Sequence, residues 1–357
     1  MLPYYLGIFS GLVGRYFDDS VNFLFAHSNH VRIGHPVYVA GGQEYSALSV
    51  EDVNERSTAL RADLDTLPWL TYRKEFQSFR SSAVVRTSDK GWGCTMRSMQ
   101  MLTASSLIKA TLGSEFRRGP TATEAQNTTY TEIIKLFADS PSAQLSLHNM
   151  LSSIGGGQDN TGRWFGPSET ARAISSLHAD FVYKSDSAVD MYKDEIVEKL
   201  EASEGRGILI LHSISLGPDK CIIDIERSRE RILPLFKVKS FQGFVGGDCV
   251  SQSYFFPAAS RDYLYILDPH TTQMAIPENL DVTNLEYFVP PQPGIMGMRW
   301  PRLSSSMTLG FFVANRADLE ALEAQTSSFD FVKFHPTRPE PVHGFEEEDF
   351  TVDDDSE

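Results

Sequence analysis

The chain has 357 residues, of which 41% are hydrophobic and 22% charged, with a formal net charge of −15 and a pI near 5.1. This length supports one large domain or two ordinary ones, and the composition excludes a largely disordered chain, a fibre and a polytopic membrane protein. A surface this acidic repels phosphates, so nucleic acid is excluded as a main partner.

The charge is concentrated at the end. Phe345 to Glu357 reads FEEEDFTVDDDSE and holds 8 acids and no base, while the rest of the chain holds 39 acids and 32 bases. Residues 336–357 are therefore expected as an acidic disordered tail, with a docking segment as the alternative. The three cysteines, Cys94, Cys221 and Cys249, form no CxxC pair. Such a sparse, odd set argues against a disulfide framework or a structural zinc site and fits a reducing, cytoplasmic compartment. The apolar start MLPYYLGIFSGLVG lacks a basic n-region and is too short to span a bilayer, so residues 1–35 are read as an N-terminal arm.

In chain order, 36–41 reads as a short strand closed by Gly41-Gly42. Residues 49–70 read as a helix started by Ser49 and Asp52 and broken at Pro68. Residues 93–112 give the clearest helix, with Met96, Met99, Leu102, Ser106 and Ala110 on one apolar or small face and Gly113 as its end. Further helices are expected after Pro167, capped by Ser168, and over 187–202. Strands follow at 207–212, 241–244, 252–257, 263–267 and 307–314, and a short helix at 317–325. Early helices and grouped later strands indicate an α+β fold.

Two segments carry chemistry. Cys94 ends Ser88-Asp-Lys-Gly-Trp-Gly-Cys94 at the mouth of the clearest helix, where free N–H groups and the helix dipole favour a thiolate and suit an oxyanion. Taken alone, the segment fits an inert buried cysteine equally well. Tyr263 to Leu267 runs into Asp268-Pro269-His270, and an extended chain sets residues i and i+2 on one face, so a carboxylate would stand beside an imidazole. Taken alone, this also fits a strand end followed by a turn. No other histidine has such a carboxylate; His212, at the end of an apolar run, reads as a core histidine. No HExxH, P-loop or dinucleotide fingerprint is present.

Together TYRKEF (71–76), TSDKGWGC (87–94), RWFGPSETA (163–171), GFVGGD (243–248) and LDPHTTQ (267–273) resemble the autophagins, the autophagy cysteine endopeptidases that process a ubiquitin-like modifier. The resemblance runs in order from about residue 36 to about 332. It implies a papain-like fold over 36–335 with an accessory insertion near 178–240. It also implies Cys94 as nucleophile, His270 as general base and acid, and Asp268 as its orienting carboxylate. Tyr72 and the Cys94 N–H would form the oxyanion hole, and Trp164 would cover the substrate groove. Gly243 to Gly247, with Gly246 and Gly247 adjacent, would be a loop that lifts for substrate. The implied substrate is the modifier, as free precursor or conjugated to phosphatidylethanolamine, cut after its C-terminal glycine. Membranes would be met only through that substrate, the chain would be a monomer, and no metal or organic cofactor is needed. Ser253 stands where the family often has His, and Cys249 reads as an ordinary loop thiol or a redox-sensitive one. The rival readings are an inactive modifier-binding module and another papain-like amidase or peptidase.

Overall fold

The computed structural model describes residues 31–80, 85–218, 224–249 and 251–339. The expected arm up to residue 30, the tail from residue 340 and Cys221 lie outside these residues. The chain opens with a short hairpin, β1 (Val37–Val39) and β2 (Gln43–Tyr45), and helix α1 (Val50–Thr66). Ser49 accepts from the Asp52 N–H and the Asp52 carboxylate returns the bond, a complete capping box. Strands β3 (Tyr72–Arg80) and β4 (Val85–Ser88) precede the helical layer: α2 (Cys94–Leu112), α3 (Glu124–Lys135), α4 (Leu147–Ser153) and α5 (Pro167–Leu177). Ser168 lies inside the first turn of α5 and does not cap it; Gly166 holds that position and Pro167 begins the helix.

Next come β5 (Val182–Lys184), β6 (Asp190–Tyr192), α6 (Lys193–Ala202), β7 (Ile208–Ser215) and α7 (Ile225–Ile232). The helix expected from residue 187 starts only at Lys193, because Asp190–Tyr192 pairs as a strand with residues near the end of the domain. Then follow β8 (Phe241–Asp248), β9 (Ser253–Ser260), β10 (Tyr263–Leu267), β11 (Thr272–Met274), α8 (Leu285–Phe288), β12 (Met296–Arg299), β13 (Leu303–Val313), α9 (Arg316–Thr326) and β14 (Lys333–His335).

The central sheet runs β12-β10-β9-β8-β13-β7-β5, with β1 on β9 and β2 on β1. All its main pairings are antiparallel except β5 with β7. Within residues 178–240, β5 and β7 join this sheet at one edge, whereas β6 pairs with β14 in a separate two-stranded sheet. Alternate side chains serve two cores. Leu209, Leu211, Val245, Phe255 and Leu267 face the helical layer, whereas Ile208, Ile210, Phe244, Phe256 and Ile266 face the opposite side. Both faces are covered, so β8 and β9 are buried at every position, including the polar Gln242, Asp248, Ser253 and Ser260.

Helix α2 lies against the middle of this sheet and is buried from Cys94 to Ile108 on all sides, not along one face as its spacing predicts. It approaches β13 so closely that a Cβ on Gly310 would sit 2.9 Å from the Leu102 side chain. Gly310→Ala is therefore expected to cost roughly 1–3 kcal/mol through overpacking, read as a lower urea midpoint with an unchanged slope. A second small sheet, β11-β3-β4, stands beside the first, with β11 parallel to β3 in the register Thr272 to Tyr72. The polar end of β10 is thereby brought to the start of β3.

Candidate active site

The mouth of α2 is formed by the turn Asp89 to Gly93. The N–H groups of Trp92 and Gly93 both donate to the Asp89 carbonyl, at 3.2 and 2.9 Å, and Gly91 adopts a positive φ of 86°. Gly93 is required by proximity: a Cβ there would lie 2.4 Å from Asp89 Oδ2. Gly93 also supplies no side-chain cap, so the first-turn N–H groups of α2 keep no capping partner and Cys94 stands at the positive end of the dipole.

Beneath this turn lies a fully buried ionic network. Asp89 Oδ1 accepts the Arg73 N–H at 2.6 Å and Oδ2 accepts Arg97 Nε at 2.7 Å. Arg97 Nη2 lies 2.7 Å from Asp139, whose Oδ2 accepts the Ile276 N–H at 2.8 Å. Arg73 Nη1 donates to the Met274 and Phe288 carbonyls. Burial alone would lower Arg97, but facing two carboxylates it is held above its ordinary range, while burial lowers Arg73 to about 10. Arg97 is one turn after Cys94, so the network ties the helix that carries Cys94 to β3 and to the α3–α4 connection. Arg97, the one charged residue between Cys94 and Ile108 of this helix, was the available sequence signal for it.

Asp268 and His270 follow β10; they do not lie within it. Pro269 has no N–H and the chain turns there, so the side-by-side placement comes from the turn and not from strand alternation. Asp268 Oδ1 accepts both the His270 N–H at 2.9 Å and His270 Nδ1 at 2.5 Å. The Asp268 carbonyl accepts the Trp69 indole N–H at 2.6 Å, and the Tyr72 N–H donates to the Pro269 carbonyl at 2.8 Å. The imidazole is flanked edge-on by two rings that lie 5.4 Å (Tyr72) and 5.2 Å (Tyr254) from it, centroid to centroid.

Cys94 is 2% exposed. The His270 imidazole, the Tyr72 hydroxyl and the Ser253 backbone N–H are the groups that act electrostatically on its thiol. His270 Nε2 is buried and makes no hydrogen bond of standard geometry among the described residues. Burial raises the thiol, but hydrogen bonding to His270, the imidazolium charge and the Tyr72 and Ser253 donors outweigh it and bring it below the ordinary thiol range. Burial lowers His270, and the Asp268 and Cys94 partners reverse this and raise it to about 9. Burial first, and then the sulfur's charge, keep Tyr72 a protonated donor well above its usual range.

These directions define a pH window. The raised imidazole contributes stability that is full below its unfolded value of about 6.5 and is lost as pH climbs through about 9. The lowered thiol contributes stability present above its unfolded value and lost as pH falls through its folded one. The thiolate–imidazolium pair exists between the two folded values. Ultraviolet thiolate absorbance is expected to persist to lower pH in the wild-type protein than in His270→Ala, since burial alone pushes the thiol up.

Of the expected site residues, Cys94, Asp268, His270 and Tyr72 come together. Trp164 is 46% exposed, immediately before Phe165, whose ring lies 6.4 Å from that of Trp92; it is no core aromatic. Gly246 and Gly247 are not in a loop. They lie in β8, in the middle of the sheet, opposite Tyr254 and Ser253. The neighbouring strands leave little room beside these glycines: a Cβ on Gly247 would lie 2.9 Å from the Gln252 carbonyl oxygen and one on Gly246 3.3 Å from the Met307 Cβ. Cys249 is disulfide-bonded and not an ordinary loop thiol. Sequence reasoning missed Trp69, Tyr254 and the ionic network, whose roles depend on contacts remote along the chain. His212 is buried, with Nε2 2.8 Å from the Phe331 carbonyl, as a core histidine should be. Among the described residues no group of three or more His, Cys, Asp or Glu side chains is arranged to hold a metal, and no helix is long and apolar enough to cross a membrane.

The family model of the peptidase C54 catalytic domain matches residues 57–325, more than half of the chain. Similar curated proteins include "Probable cysteine protease atg4" of Aspergillus oryzae, 29% identical over 80% of this chain and 76% of its own length. "Cysteine protease ATG4" of Pyricularia oryzae is 32% identical over 66% of this chain and 54% of its own. "Cysteine protease atg4" of Emericella nidulans is 29% identical over 76% and 73%. The match thus spans from about half to three quarters of these relatives. The chain belongs to the peptidase C54 family, the autophagins: cysteine peptidases with a papain-like α+β fold.

Proposed function

We propose that the chain cleaves a ubiquitin-like autophagy modifier after its C-terminal glycine, both in the precursor and in the conjugate with phosphatidylethanolamine. The observation that carries the reading is the buried Cys94 thiol at a helix N-terminus, paired with His270, which Asp268 holds at 2.5 Å. The Cys94 thiolate attacks the glycine carbonyl carbon. The resulting oxyanion accepts from the Cys94 N–H and the Tyr72 hydroxyl. His270 gives its Nε2 proton to the leaving amine, which departs and leaves a thioester on Cys94. Water then attacks this thioester, His270 takes its proton, and the glycine carboxylate and the free thiol are released. Only the leaving amine differs between precursor and conjugate, so one site serves both.

The near-complete burial of Cys94 favours a glycine-terminated substrate, because a chain without side chains can enter where others cannot. The half-exposed Trp164 is suited to cover that chain. The test is incubation with a modifier precursor that carries a C-terminal extension, with the cut site read by intact mass. A single cut after the glycine is the expected result. Cutting of short unrelated peptides instead would assign a general peptidase, and binding without cutting would assign a binding module.

A further inference from the structure

We propose that Gln292 is a positioning residue for the Asp268–His270 pair, its carboxamide acting as a substitute peptide group that extends the β10–β12 ladder to the backbone of Asp268. This inference rests on the reading of Asp268 and His270 as catalytic.

The β10–β12 ladder runs antiparallel from the Tyr263–Arg299 pair to the Ile266–Met296 pair and stops. Continued in the same register, it would bring Asp268 opposite Gly294. The partner segment there reads Pro290-Pro291-Gln292-Pro293-Gly294, and three prolines in five residues leave too few backbone N–H groups to go on pairing. The ladder ends at the Ile266–Met296 pair, and the Asp268 N–H and the Ile266 carbonyl at the start of the Asp-Pro-His turn both bond to one side chain. That side chain is Gln292. Its Oε1 accepts the Asp268 N–H at 2.8 Å, and its Nε2 donates to the Ile266 carbonyl at 3.1 Å and to the Gly294 carbonyl at 2.9 Å. Only this orientation of the amide works, because the flipped one sets an oxygen against two carbonyl oxygens. Gln292 is itself 5% exposed, and its own carbonyl accepts Arg61 Nη2 at 2.5 Å.

Asp268 is thus held on both backbone sides: N–H by Gln292 and carbonyl by Trp69. The carboxylate that orients the imidazole is only as fixed as this backbone. A misplacement on the order of 1 Å at such a site costs about 100-fold in rate. Gln292 touches neither the thiol nor the imidazole and acts only through Asp268.

The experiment uses the full chain and the extended modifier precursor. Gln292→Met keeps the length of the side chain and removes every hydrogen bond. It is expected to lower kcat about 10- to 100-fold with KM within about twofold, and to abolish the downfield proton resonance of His270 Nδ1–H. Gln292→Glu keeps the acceptor and loses the donors while ionised, but regains one donor when protonated. Its activity relative to wild type should therefore climb as pH falls, a signature that a merely structural role would not produce. Asp268→Asn separates the two readings. If Asp268→Asn loses activity while both Gln292 variants keep wild-type kcat and the resonance, the positioning role is overturned. If Asp268→Asn itself retains full activity, the catalytic assignment fails and the positioning role with it. Should Gln292→Met not fold, the pH-dependent recovery of Gln292→Glu decides alone: a flat ratio to wild type overturns the proposal.

Discussion

Cys94→Ala is expected to lower turnover of the extended precursor by about 10⁴- to 10⁶-fold, the scale seen when a covalent nucleophile is removed. Binding of the intact precursor should remain. The methyl group fits the buried space at the mouth of α2, and nothing in the ionic network beneath it involves the sulfur. The loss should therefore appear in kcat, with the variant still capturing the precursor in a pull-down or by calorimetry. Unfolding should shift only slightly. Loss of binding together with cleavage would mean that Cys94 supports the groove and not the chemistry, and wild-type turnover would place the nucleophile elsewhere. His270→Ala should resemble Cys94→Ala in rate but differ in one respect: its thiol, no longer paired, reacts as a buried neutral group.

Arg97→Met carries the largest expected stability effect. The guanidinium joins Asp89 and Asp139, all three fully buried, and its removal leaves two carboxylates without their main counter-charge. Breaking a buried pair in this way costs about 3–5 kcal/mol, mostly the penalty of the charge left behind. A large fall in denaturant midpoint is expected, and any folded fraction should have low activity, since the Asp89 turn that presents Cys94 is released. Removing charge from the network in concert, as in Arg97→Met with Asp89→Asn and Asp139→Asn, should recover part of the stability, because the stranded charges are gone. A midpoint within 1 kcal/mol of wild type for Arg97→Met alone, by the denaturant slope, would show that water reaches and solvates these carboxylates.

The candidate nucleophile and its candidate partners could be singled out in the sequence because each carries a local mark. Cys94 opens a helix behind two glycines, and Asp268 and His270 flank a proline at the end of an apolar strand. The capping box at Ser49, the buried run 208–212 and the strand 263–267 were also legible, since capping and alternation depend on near neighbours. The reach of α2 was readable, but its burial on every side was not. A helix that lies between a sheet and other helices differs from an amphipathic one only through what surrounds it. In the same way the resemblance implies a lifting loop over Gly243 to Gly247, whereas β9 and β13 on either side make it part of an interior strand.

The sequence by itself determined the family and, through the resemblance, which sulfur, imidazole and carboxylate to expect at the site. Only the tertiary structure decided how these groups are held. The Asp89–Arg97–Asp139 network, the two rings beside His270, the Trp69 indole and the Gln292 amide all reach their targets across long stretches of chain. Each satisfies a buried polar or charged group whose need for a partner is visible locally, but whose partner is chosen by the packing of distant elements.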